Sequence, residues 1–511
     1  MEQNTTKEVS EKKGRRVFLS FLGASFYDCY TYSKGTFSSR KTKFVQCASL
    51  EYFISRGDFG FGDSVYIFHT LLAKDNNWEV TGNQRPRKKG APAETYYGLE
   101  YELKQLGFAD NSLHGITIPD GNTEGEIWEI FSDIYKELRE NDEVYLDITH
   151  SFRYIPMLVM VLLDYAKFLL HIKIRGIIYG KLNNDGSAQL VDLLPLSDLQ
   201  DWTSAADQYI SSGSSEKLIG ICRPVVDRIR KDAVMATGAD GHGFRPDSSP
   251  VVTACNHINS FLHNVDRFCK DQMTCFGDGV VSGETARKVR ENLRLVQEEI
   301  RPLEEGSTDT MSLPEPLKPL LVKIGEASEE YGLGSVRNLF ISARACYGHK
   351  QYQQALTFLK EGIISFLCEK FHLDATKKKE RAWASEGFNK SQGHKAGGWE
   401  KSGWDDGNAE DARRHEDVVS QMVNSQAVKA ICKDARNIND LRNQYMHCGL
   451  LRERKDGKDD KKAVPDRMLD QIKKLIDNLS YEKLEGYFEQ LGDGSTAEPV
   501  SLPQGEIHGE Q

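Results

Sequence analysis

The sequence predicts an α/β domain followed by an all-α region, and three observations carry that division. Strand-like apolar runs alternate with helical periodicity over the first two hundred residues. Strand signals stop after Pro195. From about Leu199 onward, apolar residues recur at three- and four-residue spacing. Strands that alternate with helices imply a mostly parallel sheet covered on both faces.

Arg16–Leu22 (RVFLSFL) is an apolar run that ends at Gly23, as a buried strand followed by a turn would. Ser64–His69 (SVYIFH) reads as a second strand and Thr95–Leu106 as a helix. Leu113–Ile118 is a short strand. Glu126–Arg139 is a helix, with Ile127, Ile130, Phe131, Ile134 and Leu138 on one face. Glu143–Ile148 (EVYLDI) is a strand. Ile155–Leu170 is the most apolar run, but Asp164 and Lys167 interrupt it, so it is expected as a buried helix and not a membrane span. Ile172–Tyr179 and Gln189–Leu194 are paired strands around the turn Asn183-Asn184-Asp185-Gly186.

The domain plan is a polar segment at 1–14, the α/β domain at 15–195 and a helical linker region at 196–330. A second helical domain follows at 331–491, then a disordered tail at 492–511. Within 331–491, helices are expected at Val336–Tyr347 and Gln351–Phe371, an exposed loop at Thr376–Gly407, and helices at Val418–Cys448 and Asp466–Leu491. With 66 basic against 76 acidic residues the formal charge is -10, which excludes a protein that coats nucleic acid through bulk charge but permits a local RNA cleft. The ten cysteines form no C-x-x-C pair, and no apolar leader is visible, so a soluble cytoplasmic protein without a disulfide framework is expected. Cys255, His257, His263 and Cys269 fit no zinc spacing, and no metal site is expected.

Chemistry concentrates in two places. In EVYLDITHSFRYIP a strand runs into the turn Thr149-His150-Ser151-Phe152-Arg153 and then a helix with Pro156 in its first turn. Free backbone donors and the positive end of the helix dipole converge there, with hydroxyls from Thr149 and Ser151 and cationic donors from His150 and Arg153. The competing reading makes Thr149 and Ser151 helix caps and pairs Arg153 with a surface acid. Gly23-Ala24-Ser25-Phe26-Tyr27 ends the first strand in a similar way, and His69-Thr70 ends another. Three polar strand ends on one edge would form a nucleotide cradle.

The second place is AVKAICKDARNINDLRNQYMHCGLL. Val428, Ile431, Ala435, Ile438, Leu441, Tyr445 and Cys448 form a buried stripe of one expected helix, leaving Asn443 and His447 on the outer face and Arg442 at its edge. His447 can move protons near neutral pH, Arg442 can stabilise a phosphorane, and Asn443 can orient the phosphate, all without a metal. A second Arg-x4-His pair, Arg344 and His349, falls across a helix-to-turn junction and is read as structural. The alternative for Arg442 and His447 is an ordinary polar helix face.

DITHSFRYIP, together with SFLGASFYDCYTY and VYIFHT, resembles the CARF domain of type III CRISPR accessory proteins. The resemblance covers about 15–195 and implies a Rossmann-like sensor of cyclic oligoadenylate. It makes Gly23, Ser25, Tyr27, Thr70, Thr149, His150, Ser151 and Arg153 candidate ligand contacts. Cyclic tetra-adenylate is the favoured activator and cyclic hexa-adenylate the other candidate. DLRNQYMHCG resembles the R-x4–6-H motif of HEPN ribonucleases, over about 331–490. The combination implies an allosterically activated, metal-independent endoribonuclease of antiviral defence. It would cleave single-stranded RNA through the 2′-hydroxyl with Arg442, Asn443 and His447, as a homodimer or higher oligomer and without a membrane partner. The alternative function is a CARF-linked regulator or ring nuclease that does not cleave RNA.

Overall fold

The computed structural model describes residues 14–86, 93–150, 154–238, 250–299, 316–393, 409–446 and 465–491. The chain divides into two units, Met1–Gln200 and Asp201–Gln511, and the division falls within helix Leu194–Ser212.

The first unit contains strands β1 (Arg16–Leu22), β2 (Tyr32–Lys34), β3 (Phe37–Ser38), β4 (Ser64–His69), β5 (Thr81–Pro86), β6 (Ala93–Tyr97), β7 (Leu113–Thr117), β8 (Glu143–Asp147), β9 (Lys173–Leu182) and β10 (Ala188–Asp192). Its helices are α1 (Val45–Ser55), α2 (Leu71–Ala73), α3 (Leu99–Leu106), α4 (Glu124–Glu137) and α5 (Ile155–Leu170). Eight strands form one sheet in the order β3-β2-β10-β9-β8-β1-β4-β7, and β5 and β6 form a separate hairpin. The strands from β9 to β7 run parallel, while β10 is antiparallel to β9.

β1 explains the architecture. Phe18 and Leu22 enter one core with α1 and α3, whereas Val17, Leu19 and Phe21 enter another with α4 and α5. A central parallel strand buried on both faces has no solvent side, which is why RVFLSFL lacks polar alternation. The chain first adds β4 and β7 on one side of β1, then β8 and β9 on the other. The reversal leaves a crevice between the C-terminal ends of β1 and β8, and the candidate loops lie there.

Several expected elements take a different form. The helix expected at Thr95–Leu106 begins only at Leu99, because Ala93–Tyr97 pairs with β5 and extended Gly98 separates the two. Helix α1 gave little periodic signal because eight of its eleven residues are buried. Helix α5 occupies the expected span but is buried on one face only. Met157, Val161, Tyr165, Phe168 and Leu169 are exposed, Phe168 by 79%.

In the helical unit, the polar stretch expected as a loop contains helix Lys378–Ser391. Its Trp383, Ala384 and Phe388 are buried, so three apolar residues in an otherwise polar sequence suffice to dock it. The long helix expected at Val418–Cys448 is interrupted twice. Ser425 caps a new helix, Gln426–Asp434, by accepting from the Val428 N–H. Ala435–Asn437 then turn, with Asn437 at φ 74°, before helix Ile438–Met446. The expected helix Asp466–Leu491 is two, Pro465–Asn478 and Tyr481–Leu491. Local periodicity survives a break of two or three residues, so one stripe can span several short helices.

Packing is continuous across residue 330, with one hydrophobic cluster running from Trp202 to Leu484. Buried polar side chains tie the stretches together. Asn338 Nδ2 donates to the Val280 carbonyl at 2.9 Å and the Gly332 carbonyl at 2.7 Å, while its Oδ1 accepts from the Gly332 N–H. Tyr331 Oη accepts from Gln272 Nε2 at 3.2 Å and lies 3.0 Å from Ser342 Oγ. Among the described residues no helix is long and apolar enough to cross a membrane. Asn338→Ala strands several buried backbone groups and is expected to destabilise the helical unit by about 3 kcal/mol. Denaturant unfolding followed by far-UV circular dichroism checks this, and a loss below about 0.5 kcal/mol would contradict it.

Candidate functional site

The crevice between β1 and β8 is built around Asp147, the last residue of β8. Its register partner on β1 is Ser20, and both side chains are buried. Ser20 Oγ donates to Asp147 Oδ2 at 2.8 Å. Thr149 donates to Oδ1 twice, through its hydroxyl at 2.5 Å and its N–H at 3.1 Å. The Thr149 hydroxyl also accepts from the Gly180 N–H of β9 at 2.7 Å. One carboxylate and one hydroxyl thereby lock the ends of three adjacent strands. Gly180 is required at this join, because a Cβ there would lie 2.4 Å from Val45 Cγ2 and 3.3 Å from Thr149 Cγ2. Thr149 is therefore spent on the scaffold, and its side chain does not cap α5, whose N-cap residue is Tyr154.

His150 follows, and its ring packs on Tyr27 with centroids 4.3 Å apart, joining the loops after β8 and β1. Burial pushes its imidazole down to about 4, so it is neutral at physiological pH. It offers the crevice a ring face and a neutral donor or acceptor, and not the cation expected from the sequence. Tyr27 Oη accepts from the Gly23 N–H at 3.0 Å, and burial pushes its phenol pKa up. Ser25 is exposed on the same loop. Thr70 is buried, and its hydroxyl accepts from the Ala73 N–H as the cap of α2. Its neighbour His69 is buried against Trp78, at a ring-centroid distance of 5.8 Å. Ser151 and Arg153 lie outside the described residues.

Three residues that sequence reasoning did not single out organise the site. Asp147 and Ser20 were visible only as polar interruptions of EVYLDI and RVFLSFL. The third, Asn77, lies in the π-helical turn Lys74–Trp78, and its Nδ2 donates to the carbonyls of Gly23 and Ser25, each at 2.7 Å. Its partner Tyr96 donates from Oη to Asn77 Oδ1 at 2.8 Å.

In the helical unit, Leu441 and Ile438 are buried in the core, Arg442 is half-buried and Asn443 is exposed. Arg442 Nε is buried without a hydrogen-bond partner, and Arg442 makes no ion pair among the described residues. One turn earlier Asn439 Nδ2 donates to Asn389 Oδ1 at 3.3 Å, tying this helix to Lys378–Ser391. His447 and Cys448 lie outside the described residues, and the side chain of Tyr445 is likewise not described. The second Arg–His pair differs in kind. Arg344 is ion-paired with Glu330, and His349 is a half-buried helix C-cap residue wedged against Gly213, its pKa pushed down by burial. Cys255 and Cys269, on helix Pro250–Met273, are core residues.

Residues 17–183 match the family described as CRISPR system endoribonuclease Csx1, CARF domain. Over 101 residues the chain is 37% identical to the CRISPR-associated protein MJ1674 of Methanocaldococcus jannaschii, a stretch that is 19% of this chain and 16% of that protein. The chain thus spans less than a fifth of the curated relative it matches. The sheet unit is of the CARF, Rossmann-like type, and the family match covers none of Asp201–Gln511.

Desolvation outweighs the three hydrogen bonds to Asp147 and pushes its carboxyl up to about 6. The folded state therefore holds this proton more tightly than the unfolded chain. The resulting stabilisation is full below the unfolded pKa and is lost as pH rises through about 6. Asp147→Asn keeps an acceptor for Thr149 and a donor for Ser20. Its stability relative to wild type is expected to rise by on the order of 2 kcal/mol between about pH 4.5 and about pH 7.5. Thermal and denaturant melts across that window decide the matter, and a gap that stays flat would refute the assignment.

Proposed function

We propose that this protein is a cyclic oligoadenylate-activated ribonuclease, working as a homodimer, with a CARF-type sensor and an effector built around Arg442, Asn443 and His447. The observation that carries the nuclease half is the state of Arg442, a half-buried guanidinium with no acidic partner among the described residues, beside an exposed Asn443. Leaving a cation partly desolvated and unpaired costs stability, and a phosphate substrate offsets that cost. The paired Arg344 has no such need.

The chemistry is transesterification. His447 takes the 2′-hydroxyl proton, the O2′–P bond forms, and the P–O5′ bond breaks. Arg442 stabilises the phosphorane's charge and Asn443 orients the phosphate. The departing O5′ receives a proton from the His447 of a second copy, leaving a 2′,3′-cyclic phosphate and a 5′-hydroxyl. No step calls on a metal ion.

The homodimer reading is supported by α5. Its exposed Met157, Val161, Tyr165, Phe168 and Leu169, with Trp128 of α4, make an apolar strip that a monomer leaves wet. The helix begins five residues after His150, so a second copy on this strip would bring two crevices close to one two-fold axis. Cyclic tetra-adenylate is the favoured ligand, with cyclic hexa-adenylate the other. Activation requires the ring to bind the cutting-competent dimer better than the resting one.

His447→Ala and Arg442→Ala are each expected to reduce ligand-stimulated cleavage of a fluorogenic single-stranded RNA about 100-fold or more, with ligand affinity unchanged. Cleavage that survives either change would move the active site elsewhere, and cyclic oligoadenylate consumed without RNA cleavage would make the protein a ring nuclease. The double variant Val161→Glu/Phe168→Glu is expected to sediment as a monomer and to lose activation. A dimer that persists at micromolar concentration would place the interface on another face.

A further inference from the structure

The carbonyls of the loop after β1 are held by one turn, the π-helical turn after β4. Asn77 Nδ2 donates to the carbonyls of Gly23 and Ser25, and Asn76 Nδ2 donates to the carbonyl of Ala24 between them at 3.1 Å. Two consecutive asparagines reach three consecutive carbonyls because the π-helical turn Lys74–Trp78 places both on the loop's flank. Asn77 is itself buried and clamped by Tyr96 Oη, whose ring packs on Phe26 with centroids 5.0 Å apart.

In a trans peptide the carbonyl and the following N–H point in opposite directions. With the carbonyls of Gly23, Ala24 and Ser25 all drawn toward the turn that follows β4, the N–H groups of Ala24, Ser25 and Phe26 face away from it. None of the three makes a hydrogen bond among the described residues. Across β1 from β4 lies β8, and Thr149 and His150 follow it. Three successive N–H groups turned one way form a concave anion site that needs no cationic side chain. His150 is neutral here, so backbone donors supply the positive potential that the sequence assigned to it.

We infer that Asn77 is a positioning residue for a phosphodiester subsite formed by the backbone N–H groups of Ala24, Ser25 and Phe26. The subsite takes phosphate oxygens of the ligand, and Asn77, with Tyr96 behind it, fixes the loop before the ligand arrives. This rests on the nucleotide-ligand reading above and adds what grips the phosphates. It also accounts for the Gly23-Ala24-Ser25 composition, since small residues let a ligand approach the backbone closely.

The test uses the full-length protein with selective 15N labelling of alanine, serine and phenylalanine. A cyclic oligoadenylate, first tetra- and then hexa-adenylate, and, separately, inorganic pyrophosphate are titrated in. Downfield shifts of the Ala24, Ser25 and Phe26 amides with either probe support the subsite, and amides that respond to neither overturn it. Amides that respond to pyrophosphate but not to cyclic tetra- or hexa-adenylate would keep the subsite and sink the cyclic oligoadenylate reading. Asn77→Ala is expected to weaken cyclic tetra-adenylate binding about tenfold or more, and Tyr96→Phe, which keeps the ring, about threefold. In both variants the His150 ring resonance still responds to ligand at saturation, which separates misplacement of the loop from loss of the fold. Wild-type affinity in a folded Asn77→Ala protein would overturn the positioning role.

Discussion

A single buried carboxylate organises the sheet unit. Asp147 sits on a central strand, and among the described residues its charge is met by hydroxyl and amide donors, with no cation beside it. Those donors come from Ser20 on β1 and from Thr149 after β8. Thr149 in turn takes the Gly180 N–H of β9. If the carboxylate is removed or its donors lost, the ends of three parallel strands lose their common anchor. His150 follows Thr149 directly, and its ring carries a contact from that anchor to Tyr27 in the loop after β1. Burial costs the carboxylate its ordinary acidity, and the same burial makes its hydrogen bonds geometrically exacting.

In the helical unit most buried polar side chains are satisfied, as Asn338 and Tyr331 are, and they serve packing. Arg442 is one of several exceptions, Asn439 Oδ1 and His349 Nδ1 among them: its helix is pinned by Ile438 and Leu441, and its Nε has no partner among the described residues. The apolar strip of α5 is a similar unmet requirement on a larger scale, and a second copy of the chain would meet it.

Much of the candidate site could be read from the chain because its parts are contiguous. The polar turn after a hydrophobic strand in EVYLDITHS marked the crevice, and Arg442-Asn443 stood out against an apolar stripe. Roles were harder to read. Thr149 and Thr70 looked like ligand donors, yet one is spent on Asp147 and Gly180 and the other on capping a helix. A hydroxyl's partner depends on neighbours far away in sequence, 31 residues away in the case of Gly180. Asn77 gave no sequence signal, because the loop carbonyls it holds lie more than fifty residues upstream.

What the sequence determined by itself was the alternation of strand and helix, the order of the polar strand ends, and the change to helical periodicity after Pro195. These are local consequences of side-chain period, and local period is written in the chain. Only tertiary structure decided which strands became neighbours, and hence that the ends of β1 and β8 meet. It also broke the helix that carries Arg442, left one face of α5 exposed, and made His150 neutral. Each of these depends on burial, and burial is set by what packs from elsewhere in the chain.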